Sequence, residues 1–330
     1  MIIKEQFEQA ANRLFEFCPY PAVRYKSLFQ LLDRPYDDLD LVKLRPEFLT
    51  SDIVEDLCRT QAPNGGWGRL YAKDYSAKDK IPTSTVGINR ALYIGLTLED
   101  RDILLCAQDY LEDFLNGTPP ERPHETNERA KPWRTAHICE LLESIRPYND
   151  LCDQTYIEWL HIASRAYQSG EYSYERDAAA QHEVFWTREK RIIPIQAGLL
   201  MKRPKEVPPK LEEAMLCHLG GKAYEHGYFW PNCPAKLPEH FVCNKTRRWM
   251  YAFNYINQFR GSALYLSDTV RWLLENQNAD GLWDWGTQTK DPWGYFGYLS
   301  MSRNRVHNRI VDCSMEILNF LNDYIKKNKL

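Results

Sequence analysis

The 330-residue chain has no unbroken apolar run of 18 residues, and its mean hydropathy is -0.56. A membrane-spanning helix needs about 20 predominantly apolar residues, so none is expected. Charge of one sign is also missing. Forty-two Lys plus Arg stand against 45 Asp plus Glu, a net -3, which gives no support for a nucleic-acid partner. Nine cysteines are an odd set with no Cys-x-x-Cys spacing, so a disulfide scaffold is excluded. Most sit in apolar helical patterns, where free Cys acts as a small hydrophobe. The first residues, Met1-Ile-Ile-Lys-Glu-Gln6, lack a basic region leading into an apolar stretch, so no signal peptide is expected. Together with the unpaired cysteines this points to the cytoplasm. Strand patterns are missing apart from short aromatic runs near Tyr228 and Trp293. No low-complexity linker divides the chain, so a single domain over 1–330 is expected.

What the chain does have is aromatic side chains: 10 Trp, 20 Tyr and 13 Phe, or 13% of the residues. Such a load calls for a large core, a ligand cavity, or both. It also has an internal period. Gln61-Ala-Pro-Asn-Gly65-Gly-Trp67 and Gln277-Asn-Ala-Asp-Gly281-Leu-Trp283 share the pattern Gln-x-x-x-Gly-x-Trp, and each follows an amphipathic helical stretch. Weaker copies surround Gly117, Gly170 and Gly227. The glycines at 65, 117, 170, 227 and 281 are spaced by 52, 53, 57 and 54 residues. A glycine that ends a helix in the left-handed conformation explains each one, and the Gln and Trp would staple neighbouring helices.

After each glycine comes a second helical pattern that is more apolar than the first: 82–98, 132–145, 191–201, 251–266 and 306–321. Helices over 5–17 and 21–32 add a pair without the glycine. Residues 39–48 and 201–210 read as connecting loops. Six pairs of alternately exposed and buried helices predict an all-α fold, an α/α toroid ((α/α)6 barrel) with a repeat of about 54 residues. An open solenoid is the competing arrangement, but its usual periods are shorter.

The two sharp copies of Gln-x-x-x-Gly-x-Trp resemble the repeat motif of squalene and oxidosqualene cyclases, whose toroid protein prenyltransferases share. The resemblance implies an aromatic cavity for an isoprenoid. It does not extend to the family's acidic motifs. Asp37-Asp38-Leu39-Asp40 is neither Asp-x-Asp-Asp nor Asp-Asp-x-x-Asp and reads as an acidic turn. Asp312 and Cys313 are adjacent where a zinc site of this family spaces them, so no metal is expected; Mg would enter only with a diphosphate.

Basic residues recur at the starts of the second helices: Arg134, Arg188, Arg248, Arg305 and Arg309, accompanied by Trp133, Trp186, Trp249, Tyr251 and Tyr255. Cations there oppose the helix dipole, so their repetition suggests an anion-binding rim. Salt bridges or simple solvation would explain them equally well. Asp312 lies mid-helix between apolar neighbours, where burial would raise its pKa and suit it to general-acid catalysis. Pairing with Arg305 or Arg309 is the structural alternative. His137 and His182 read as structural or exposed. Three functions remain open: an enzyme on an isoprenoid, a carbohydrate-active lyase or hydrolase on acidic sugars, and a non-catalytic binding toroid. The expected partner is a small hydrophobic or anionic molecule.

Overall fold

A computed structural model describes residues 2–71, 81–117, 130–186, 194–222, 240–242, 250, 253–286, 299 and 305–329. Among these the chain is helical with no strand. They form two compact units: a terminal unit of Met1–Asp56 with Leu219–Leu330, and a central unit of Leu57–His218.

The helices are α1 (Ile2–Phe17), α2 (Pro21–Lys26), α3 (Leu39–Leu49), α4 (Asp52–Thr60), α5 (Ser84–Ile94), α6 (Ile103–Leu115), α7 (Lys131–Ile145), α8 (Asp153–Ala166), α9 (Tyr174–Phe185), α10 (Pro194–Lys202), α11 (Pro209–Cys217), α12 (Ala263–Glu275) and α13 (Val306–Asn328). The aromatic runs near Tyr228 and Trp293 lie outside the described residues.

In the central unit covered and half-exposed helices alternate from α5 to α8. No side chain of α5 is exposed, and on α7 only Lys131 is. The described side chains of α10 are also covered. Between them, α6 and α8 each keep a solvent face. The covered helices touch one another, α5 on α7 and α7 on α10, while α6 packs on α5 and α7, and α8 on α7 and α10. Burial explains the composition: a helix enclosed on most of its circumference has no face left for charge. At the far end of α7 buried Arg203 donates to Glu143 Oε1 from Nη2 (2.6 Å) and to Asp153 Oδ1 from Nη1 (2.6 Å). It thereby ties the segment after α10 to α7 and α8. Breaking such a buried pair costs about 3–5 kcal/mol.

In the terminal unit the two ends of the chain meet. α1 packs on α13 and α2, α2 on α3, and α12 on α13. Phe7, Ala10, Ala11 and Leu14 give α1 its buried face. Tyr20 Oη donates to Asn308 Oδ1 (2.8 Å). After α2 the backbone widens into a π turn, Ser27–Leu31. The carbonyl of Gln30 accepts from Asn322 Nδ2 of α13 (3.1 Å).

Both sharp repeats build the same turn, one in each unit. Gln61 Nε2 donates to Gly65 O (2.8 Å) and Gln277 Nε2 to Gly281 O (2.9 Å). Trp67 Nε1 donates back to Leu57 O (3.2 Å), Trp283 Nε1 to Leu273 O (2.6 Å). Their backbone N–H groups donate to Ser84 Oγ (2.8 Å) and Ser314 Oγ (3.0 Å) on the following helices. Both indoles are buried. The turn thus satisfies helix-end carbonyls and pins the next helix, which explains why Gln, Gly and Trp recur together. Gly65, Gly117, Gly170 and Gly281 all have left-handed φ, from 73° to 86°. Gly227 lies outside the described residues.

Three expectations need correction. Residues 39–48 are a helix rather than a loop. Asp38 caps α3, accepting from Asp40 N (2.9 Å), and Leu41, Leu44 and Phe48 form its buried stripe. Pro46 and the surrounding charges hid that stripe. Helix α9 has no counterpart in the expected pairs, because its buried residues are Asp177, Ala180 and Gln181, a weak apolar signal. The helix expected over 251–266 is interrupted at Gly261 (φ 76°), and α12 begins at Ala263.

Candidate functional site

The most chemically distinctive cluster lies on the covered helices of the central unit. Pro132 occupies the first turn of α7, where its missing N–H costs nothing. Trp133 and His137 follow on one face, four residues apart, and their rings stack at 5.9 Å and 19°. Tyr71 meets Trp133 edge-on at 4.9 Å. His137 is 9% exposed.

Thr85 holds the His137 ring from α5: its Oγ1 lies 2.8 Å from Leu70 O and 2.9 Å from His137 Nε2, a bond whose direction follows the imidazole tautomer. Nδ1 is buried, with no hydrogen-bond partner among the described residues. Glu140 Oε2 faces it at 3.7 Å. Space for that carboxylate comes from Gly198 on α10, where a Cβ would lie 2.4 Å from Glu140 Oε1. The Glu140 carboxylate and the Trp133 ring face thus bound the imidazole on two sides. Once protonated, His137 is an acid; once neutral, Nδ1 is a base.

The residues expected from sequence are distributed as follows. Trp133 belongs to this cluster, and half-buried Arg134 is its neighbour on α7. Trp186, the C-cap of α9, is 85% exposed with φ 56° and tilts against exposed His182. Arg305 is the exposed N-cap of α13. Tyr255 is half-buried in the terminal unit. Arg188, Arg248, Trp249 and Tyr251 lie outside the described residues.

Asp312 is 5% exposed in the middle of α13. Arg309 forms a two-pronged pair with Asp284, Nε to Oδ1 at 2.5 Å and Nη2 to Oδ2 at 2.8 Å. Burial pushes the Asp284 carboxyl up, but the Arg309 bonds and the Gly286 N–H outweigh it and hold the pKa below the ordinary range. Asp284, seven residues beyond Gln277, was not singled out in the sequence. Burial, followed by the charges of Glu316, Asp312 and Asp284, raises the Cys313 thiol well above its usual value. Cys313 therefore stays protonated and unreactive.

The sequence contained one signal for the His137 cluster, the i, i+4 spacing of Trp133 and His137. It contained none for Thr85, Tyr71 or Gly198, which only folding brings to α7. No three His, Cys, Asp or Glu side chains among the described residues converge to hold a metal. No described helix is long and apolar enough to cross a membrane. The chain matches no protein-family profile, no curated protein and no solved structure.

Proposed function

We propose that the chain is a six-pair α/α toroid of the terpenoid cyclase and prenyltransferase kind, and that it acts on an isoprenoid ligand. The observation that carries this reading is the duplicated turn, in which Gln61/Trp67 and Gln277/Trp283 make the same bonds in the two units. Alternating covered and half-exposed helices from α5 to α8, and the packing of α1 on α13, are features that a closed ring of helix pairs requires. The ligand would lie against Tyr71 and Trp133, whose π faces suit an alkene or a developing carbocation. His137 with Glu140 would supply or accept a proton, in place of the acidic motif the chain lacks. Arg134 would hold a diphosphate if the ligand bears one.

Thermal shift with farnesyl diphosphate, a squalene analogue and uronate oligomers, with and without magnesium, tests this. A ligand at 100 times its Kd stabilises by about 2.7 kcal/mol. Stabilisation by farnesyl diphosphate or the squalene analogue, lost in Trp133→Ala, is the expected result. For the diphosphate it should also weaken in Arg134→Ala. Stabilisation by uronates alone would replace this reading with the carbohydrate-active one, and no shift with any isoprenoid would end it.

A further inference from the structure

The two turns differ in what covers them. In the central unit the turn is pressed against α6: a Cβ on Gly65 would lie 2.0 Å from Cys106 O. Gln61 Nε2 there makes a second bond, to Ile103 O at the start of α6 (2.9 Å). In the terminal unit the facing helix is α1, and it stands off. A Cβ on Gly281 would meet only Arg13 Cγ, at 4.0 Å. Gln277 Nε2 keeps its bond to Gly281 O, and no second acceptor reaches it from the described residues. Between turn and helix lies a groove of about 530 Å³. That volume suits a small ligand.

The lining fixes the ligand's chemistry. Gln6, Gln9, Arg13 and Glu16 of α1 face Gln277 and Asp280 of the turn. Among the described residues Arg13 is paired with Glu16 alone, at 3.5 Å with both side chains about two-thirds exposed, a weak pair that a ligand can replace. A guanidinium and a spare amide N–H together match a carboxylate. Glu16 and Asp280, two carboxylates, match an ammonium and would repel a dianion. The polar walls disfavour an isoprenoid.

We infer that this groove binds a zwitterion, an α-amino acid or a dipeptide, whose carboxylate takes the place that the Ile103 carbonyl holds at the other turn. The ligand carboxylate meets Arg13 and Gln277, and its ammonium meets Glu16 and Asp280. This site is independent of the isoprenoid reading, since none of its residues belongs to the His137 cluster.

Saturation-transfer NMR on the full chain, with alanine, lysine, glutamate and Ala-Ala at millimolar concentration, tests it. N-acetylalanine and alaninamide, each lacking one charge, are the controls. The expected result is transfer to at least one zwitterion, weaker transfer to both controls, and about tenfold or more lower affinity in Arg13→Ala and Asp280→Ala. Both residues are on the surface, so circular dichroism should show unchanged helix content. No transfer to any zwitterion, equal binding of the single-charge controls, or unchanged affinity in Arg13→Ala would each overturn the assignment.

Discussion

Lys26 buries an ammonium at a cost in stability. Its side chain is 4% exposed at the end of α2. Burial, partly offset by the Asp323 carboxylate, lowers its pKa from 10.5 to about 7. The unfolded chain holds that proton up to about pH 10.5, the folded chain only up to about 7. Between these limits the unfolded state binds more protons, so stability falls as pH drops from 10.5 and the loss is complete below about 7. Lys26→Met removes the penalty. It should be more stable than the parent at pH 7, by about 2–4 kcal/mol, and the advantage should shrink toward pH 10. Denaturant unfolding at several pH values checks this. Cys18, whose thiol burial pushes up to about 12, costs stability in the opposite direction, above pH 9. It is common to both proteins and cancels in the difference. A constant advantage across the range would show that Lys26 does not titrate as described.

At the scale of the element, the Gln-x-x-x-Gly-x-Trp turn separates local conformation from packing. Both glycines need a positive φ, 82° at Gly65 and 73° at Gly281. An alanine there costs about 1–2 kcal/mol from backbone strain alone. Only Gly65 also has backbone in the way, at Cys106. Gly65→Ala should therefore lose the strain energy plus a displacement of α6, about 3 kcal/mol or more. Gly281→Ala should lose about 1–2 kcal/mol. Midpoints of chemical unfolding compare the two directly, and equal losses would contradict the close approach of the turn to α6. The period and the residue pattern made these turns legible in the sequence. Their neighbours were not legible, because nothing local in Gln61 or Gln277 encodes the helix that lies across from it.

At the scale of the whole molecule, the terminal unit joins the first helix to the last, so its core depends on contacts between residues nearly a chain length apart. Leu14 of α1 is fully buried. Leu14→Ala should cost about 2–5 kcal/mol. Hydrogen exchange should then quicken in α1 and α13, while α5, α7 and α10 of the central unit keep their protection. Equal acceleration in both units would mean that the two cores open together.

Periodicity alone determined that the described residues are helical. Apolar residues at helical spacing marked α1, α7 and α10 to within about three residues of their observed ends and the start of α13, whose last turns, to Asn328, run beyond the expected 321. These are local properties: backbone sterics and one-sided burial write themselves into neighbouring residues. Helices α3 and α9 escaped notice because one is started by a cap and carries Pro46, while the other buries polar side chains. The candidate site needed the tertiary structure. His137 looks like any lone histidine until Thr85 reaches its ring and Gly198 admits Glu140 beside it, and Thr85 and Gly198 come from helices about 50 to 60 residues away. The contacts of His137 with Thr85 and Glu140 depend on distance and enclosure, which a chain acquires only by packing.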